Sequence, residues 1–358
     1  MQLKTRFTFL LFLLLSASLG YTQGSFKNAT RFIKSIQADS ETVGLSVTVA
    51  KEGKIIYSKG FGYESLEHEV KVDPGKTKFR IASISKALTS GAMGVLMNRN
   101  RLDVDMPVQL YAPYFPKKNY KITSRQVAGH VAGIRHYRNN EFLSAKRYNS
   151  VKEGIEIFIL DSLNFKPGTQ YSYSSYGFNL VSAIIEGASG MEYLDFMQKE
   201  IFDPLKMKST VPDYHDSIIA HRSDFYSMEK GKVIHARYVD NSYKWAGGGY
   251  LSTTEDLIKF GNAMLYDKLF PEEIKIELIT SQKLSNGKLT HYGMGWTTGI
   301  NKYGKTFYGH GGGAIGGCGN FLIFPEEKLV IAVYTNDTQA MVGSEIHDLA
   351  NIFMESYE

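Results

Sequence analysis

Cysteine is all but missing from this sequence: Cys318 is the only one in 358 residues. No internal disulfide can form, so the fold must be held by its core alone, which a chain of this length can build. Cys318 itself lies among glycines in an apparent strand, the setting of a packed residue rather than of a nucleophile. There is no His-Glu-x-x-His segment, and the nine histidines are scattered without ligand spacing, so neither a metal nor another cofactor is expected. An excess of one charge is lacking as well. The 41 Lys and Arg face 36 Asp and Glu with no basic cluster, which argues against a nucleic-acid partner. Low-complexity tracts, long charge blocks and short-period repeats are absent, which argues against disorder and against a solenoid.

A long hydrophobic run is also missing. The apolar stretch Phe7–Leu15 is too short to cross about 30 Å of hydrocarbon comfortably. It follows Lys4 and Arg6 and precedes Ser16, Ala17, Ser18 and Gly20. Basic start, short apolar middle and small residues describe a secretory signal peptide over residues 1–20, cut after Gly20 or near Gln23. The expectation is an exported protein, periplasmic or secreted, with no stable membrane anchor and one domain over 25–358. Loss of Lys4 and Arg6 takes the formal net charge from +5 to +3, too weak to imply a particular partner.

What is present is ordinary globular composition, 43% hydrophobic and 22% charged. Phe32, Ile33 and Ile36 recur at helical spacing over 28–38. Two alternating runs, Leu45–Ala50 and Ile55–Gly60, flank a short turn with Gly53 and predict a hairpin. A buried helix begins at or near Ser83. The middle, 104–245, reads as helical and irregular, with helical windows at Leu180–Glu186 and Tyr193–Ile201. Another helix runs from Leu257 toward Leu265. The tail returns to strands, Phe307–Gly309, then Phe321–Phe324 and Leu329–Tyr334 around a turn at Pro325, and ends in a helix over 344–357. This order predicts an α/β (α+β) fold: an antiparallel sheet built from both termini and flanked by helices, with a helix-rich region inserted between.

Three segments carry the chemistry. In Ser83-Ile84-Ser85-Lys86, residues three apart on a helix share a face, about 5–6 Å between Cβ atoms. A serine hydroxyl needs a base to become a nucleophile, and a lysine made neutral by burial or a nearby cation can serve. The same spacing recurs at Ser227–Lys230 and Ser285–Lys288, but both copies run into glycine turns; only the Ser83 copy opens an apolar helix. The second segment, Pro167–Ser175, is a tyrosine-rich loop running into a helix. Tyr173 is a proton relay if positive charge lowers its pKa, and otherwise a packing aromatic. The third, Tyr308-Gly309-His310-Gly311-Gly312-Gly313, surrounds one histidine with glycines. It is either a backbone that something approaches closely or a bend at a strand edge.

Together these segments resemble the serine β-lactamase and penicillin-binding-protein superfamily, in its class C-like branch. The family's Ser-x-x-Lys, Tyr-x-Asn and Lys-Thr-Gly or His-x-Gly elements appear in order as Ser83/Lys86, Tyr173-Ser174-Ser175 and His310-Gly311-Gly312. Gly129–Ile134, Trp245–Ser252 and Tyr292–Trp296 look like the family as well, so the resemblance spans about 40–340. Val239–Trp245 and Gly133–Tyr137 are similar to the serine β-lactamase-like branch of animal mitochondria, whose members are regarded as peptidases. The resemblance implies a serine hydrolase acting on a peptide, amide or ester through an acyl-enzyme at Ser83. Lys86 and Tyr173 would share general-base and general-acid duty, and His310 would take the strand lysine's place, orienting substrate or the Tyr173 proton. Ser175 and Gly312 would contact substrate, and the N–H groups of Ser83 and Gly313 would form the oxyanion hole. His130 and Asp256 match family positions that look structural. Two departures, Ser175 for asparagine and His310 for lysine, weaken the fit to a β-lactam, whose carboxylate favours a fixed cation. A carboxylesterase, a true β-lactamase and an inactive peptide-binding relative stand as alternatives.

Overall fold

A computed structural model describes residues 26–340 and 343–356. The signal-peptide reading of 1–20 therefore lies outside the described residues. The chain begins with helix α1 over 26–39. A seven-stranded antiparallel sheet follows, and both ends of the chain build it. The early strands are β1 (Gly44–Lys51), β2 (Lys54–Ser65) and β3 (Val70–Lys71). The late ones are β9 (Thr297–Ile300), β10 (Thr306–Ala314), β11 (Gly317–Phe324) and β12 (Leu329–Thr335), giving the order β3-β2-β1-β12-β11-β10-β9. The seam is β1 against β12, with Val47 opposite Val333.

Strand β1 is buried on both faces, and its alternation sorts two cores. Leu45, Val47 and Val49 pack with Ile33 of α1 and with Leu349 and Phe353 of the last helix, α10 (Glu345–Glu355). Ser46 and Thr48 point the other way, and both hydroxyls meet Thr254 Oγ1, at 2.7 and 2.8 Å. Thr254 opens α8 (Thr254–Leu265), capped by Thr253, whose side chain accepts from Asp256 N–H. Asp256 also accepts from Ser209 N–H at 2.7 Å, which makes it part of this cap rather than of the site.

Between the two halves of the sheet lie α2 (Ser85–Asn98), α3 (Ser124–Ala128), α4 (Val151–Glu156), α5 (Ser175–Ser189), α6 (Tyr193–Met197), α7 (Trp245–Gly248) and, after α8, α9 (Glu272–Ile279). The inserted region is thus helix-rich, but it also contains strands too short for their alternation to register. Strands β4 (Phe79–Arg80), β8 (Tyr250–Ser252) and β5 (Val211–Pro212) form a small sheet, and β6 (Tyr226–Glu229) pairs with β7 (Lys232–His235). Ser227 and Lys230 belong to that hairpin and its left-handed turn, with Lys230 at φ 51°. Their spacing is a turn signature.

The glycines around His310 make no bend. They run inside β10, paired Gly311 to Asn320, Gly312 to Gly319 and Gly313 to Cys318. A Cβ on Gly312 would lie 2.4 Å from the carbonyl oxygen of Ile81. Glycine is required there so that the strand can lie directly against the turn that carries Ser83.

Candidate active site

Helix α2 is buried on all sides and has no side-chain cap. It grows out of a 3₁₀ turn, Ala82–Ile84, with Ala82 held at φ 46°. A left-handed alanine costs about 1–2 kcal/mol. Here the distortion sits one residue before Ser83 and turns that residue toward a pocket of about 290 Å³. Ser83, Tyr173, Ser175, His136, Lys244 and Gly313 all line the pocket.

Lys86, one helical turn beyond Ser83, is fully sealed from solvent. Its Nζ lies 3.0 Å from Ser83 Oγ, 3.3 Å from Ser175 Oγ and 2.5 Å from the Gly247 carbonyl oxygen. Burial pushes the amine well below the usual lysine range, and the charge of Lys244 pushes it further. A neutral amine has two hydrogens for Gly247 O and Ser175 Oγ and one lone pair left for the Ser83 proton.

Tyr173 Oη donates to Ser83 Oγ at 2.9 Å. Burial raises its pKa, and the bond to Ser83 only partly opposes this. No cation is among the causes of this shift, so the condition set for a lowered pKa is not met; Tyr173 stays a phenol, poised to give a proton. The two duties the resemblance assigned jointly to Lys86 and Tyr173 therefore separate into base and acid.

The tyrosine loop is pinned where α5 starts. Ser174 caps the helix, its Oγ accepting from Gly177 N–H at 3.0 Å and donating to Arg135 O at 2.6 Å. The N–H groups of Ser174 and Ser175 donate to Nδ1 of His130 and of His136, each at 3.2 Å. The His130 ring also stacks obliquely on Tyr173, 4.3 Å between centroids. His130 therefore supports the site directly, and His136, which the sequence reading gave no role, both holds the loop and borders the pocket.

His310 lies on β10, at the strand position the resemblance implied, but it is not arranged for the role given to it. It is buried and does not line the pocket. Its Nδ1 meets the Gly311 carbonyl at 2.5 Å; a carbonyl only accepts, so Nδ1 carries the hydrogen. Nε2 then accepts from Tyr292 Oη, 2.8 Å away. With both nitrogens engaged, His310 can orient neither substrate nor the Tyr173 proton. Burial, the largest cause, lowers its pKa to about 3, so it is neutral at ordinary pH. Gly312 is likewise corrected: it is a spacer against Ile81, while Gly313 borders the pocket. Ser175 does line the pocket, with its hydroxyl turned to Lys86.

Tyr292 ties the loop before β9 to β10 through His310. Replacing it with phenylalanine leaves His310 Nε2 buried without a donor, which costs about 1–3 kcal/mol. Tyr292→Phe should lower the denaturant midpoint accordingly with an unchanged m value, measured by urea unfolding.

The cation of the pocket comes instead from Lys244, just before α7, which is 4% exposed. Burial lowers its pKa to about 7; Arg80 pushes the same way and Asp213 opposes. Its place in the run Val239–Trp245 was visible in the sequence, but nothing local there shows that it faces Ser83.

A serine at the head of a buried helix, with a lysine behind it, a phenol across from it and a glycine strand alongside, seated between an antiparallel sheet and a helical insert, is the arrangement of the β-lactamase and transpeptidase-like fold. The chain belongs to the Beta-lactamase family, whose model matches residues 29–351. The mitochondrial serine beta-lactamase-like protein of Mus musculus is 34% identical over 79% of this chain and 70% of that one. Penicillin-binding protein 4* of Bacillus subtilis is 28% identical over 78% of this chain and 66% of its own. Among solved structures, D-amino acid amidase from Ochrobactrum anthropi superposes with a TM-score of 0.78 at 19% identity, covering 92% and 99% of the two chains. The octameric penicillin-binding protein homologue from Pyrococcus abyssi gives 0.78 at 23%, covering 93% and 77%. At these identities the two structures share a fold.

Proposed function

We propose that this protein is an exported serine hydrolase that cleaves a peptide or amide through an acyl-enzyme at Ser83. One observation carries the reading: Ser83 Oγ sits between Lys86 Nζ at 3.0 Å and Tyr173 Oη at 2.9 Å, beside a pocket. As Oγ attacks the carbonyl carbon, its proton passes to the Lys86 amine and the carbonyl electrons move onto oxygen. The N–H groups of Ser83 and Gly313 stabilise that oxyanion. On collapse the C–N bond breaks, and the leaving nitrogen takes the Tyr173 proton. The resulting phenolate stands beside the ammonium of Lys86, which stabilises it. Water then attacks the ester and gives its proton to the phenolate; Ser83 Oγ departs and recovers a proton from Lys86. All three groups end as they began.

The amide preference rests on Tyr173 remaining protonated, since an amine leaving group needs an acid and an activated ester does not. The names of the amidase and penicillin-binding relatives point the same way. The test is turnover of D-Ala-D-Ala peptides and amino-acid amides against nitrophenyl esters, with a fluorophosphonate probe reporting the nucleophile. Turnover of esters alone would make it a carboxylesterase; no turnover and no labelling would make it a binding relative.

Export is supported by the order of residues 1–20. Among the described residues no helix is long and apolar enough to cross a membrane. Protein recovered from periplasm or medium should begin near Tyr21 or Gly24 by N-terminal sequencing; an intact Met1 on membrane-bound protein would refute this.

A further inference from the structure

In the family that this chain resembles, the strand beside the nucleophile supplies a cation for the substrate's carboxylate. Here that position holds His310, whose two nitrogens are taken by Gly311 O and Tyr292 Oη and which does not reach the pocket. Lys244 does reach it. Among the described residues no carboxylate lies within ion-pair distance of its Nζ. Asp213, the acid nearest in influence, is committed elsewhere: its Oδ2 accepts from Arg80 Nε and from Asn241 Nδ2, each at 2.7 Å, and Arg222 stands 3.4 Å from its Oδ1. What surrounds the Lys244 ammonium is aromatic, with the Phe142 ring centroid at 4.7 Å, Tyr243 at 5.3 Å and Tyr137 at 5.8 Å.

A buried ammonium without a counter-ion is expensive, and aromatic faces offset only part of that. Lys244 also lines the pocket that holds Ser83. We propose that Lys244, and not the strand residue His310, is the specificity residue that receives an anionic group, a carboxylate, of the acyl donor. The inference rests on the hydrolase reading above and adds to it where the charge is read. The ion pair would form inside a desolvated pocket, where a charged hydrogen bond is worth more than at the surface.

The ionisable groups facing Lys244 are Lys86, His136, Arg80, Asp213 and the phenols of Tyr137 and Tyr243. Burial and then the charges of Lys86 and Lys244 lower His136 to about 4, so it is neutral above that pH. Lys244, at about 7, changes charge near neutrality.

The experiment compares two acyl donors of equal length, the mono-4-nitrophenyl ester of adipic acid and its neutral adipamide counterpart. Wild type should favour the carboxylate at least tenfold in kcat/KM at pH 6, and the preference should decline through pH 7 to 8 as Lys244 loses its proton. Lys244→Met should bring the ratio close to one, and His310→Gln should leave it near the wild-type value. A ratio of one in wild type, a ratio unchanged in Lys244→Met, or a loss confined to His310→Gln overturns the proposal. If Lys244→Met does not fold, the wild-type pH series decides, and a preference constant from pH 6 to 9 overturns it. Turnover of the neutral ester and labelling of Ser83 report the hydrolase reading separately. If both are present with a ratio of one, only the assignment of Lys244 fails.

Discussion

Ser83→Ala is expected to lose all covalent labelling by a fluorophosphonate or a fluorescent penicillin, and to hydrolyse no substrate above background, while remaining folded. The loss should be complete because Ser83 Oγ lies within hydrogen-bond reach of both the buried Lys86 amine, whose pKa burial lowers, and the Tyr173 phenol, and it lines the pocket. Removing a nucleophile that works as a unit with its base removes nearly all of the rate that the unit provides. Stability should survive because Lys86 keeps Gly247 O and Ser175 Oγ, and Tyr173 keeps its ring packing against His130. The measurement is intact mass after labelling, with circular dichroism as the check on folding. Label that persists on Ser227 or Ser285 would refute the assignment. Neither serine has an activating base beside it. Ser227 Oγ is 2.7 Å from Thr338 Oγ1, and the Ser285 N–H donates to Gly168 O in a turn at 2.8 Å.

Legibility tracked how local each signal was. The hairpin at 45–60 and the pair β11 and β12 carry period-two alternation with turn residues between, and the structure has them with longer ends. Ser83 and Lys86 were legible because one helical turn fixes their relation and an apolar helix distinguishes them from two decoys. Their partners were not, because each arrives from elsewhere in the chain. Lys244 reaches the pocket only through the packing of α7 against α2 and α5. His136 counts only because the backbone at the start of α5 lacks partners. His310 was misjudged for a related reason. Its role came from the resemblance to the family's strand lysine, but Tyr292, eighteen residues earlier, occupies its Nε2. The glycines left two readings open, a close approach or a bend; the structure has a close approach, and the approaching group is the Ile81 carbonyl of the protein itself. The small sheets of the insert escaped because strands of two to four residues show too little alternation to register.

Lys86→Met should lower kcat by about 10²–10⁴ while changing KM little, the range that a positioned general base contributes. Methionine matches the lysine stem and carries no amine, so the substitution removes the proton acceptor and leaves the packing of α2 in place. The desolvation cost of the amine is relieved while the buried Gly247 carbonyl loses its donor, so the two effects oppose and a denaturation curve on the variant separates a lost base from a damaged fold. The pH profile supplies the independent check. Lys86 acts as a base only when neutral, so wild-type kcat/KM should be retained above its lowered pKa and fall as pH drops through it. The charge of Lys244 is one cause of that lowering, after burial. Removing it in Lys244→Met should raise the Lys86 pKa and carry the acidic limb to higher pH. An amine that served only to bind substrate would instead raise KM in Lys86→Met and leave kcat intact. A fall in kcat of less than about tenfold, or an acidic limb that stays in place without Lys244, would assign the proton transfer to another group.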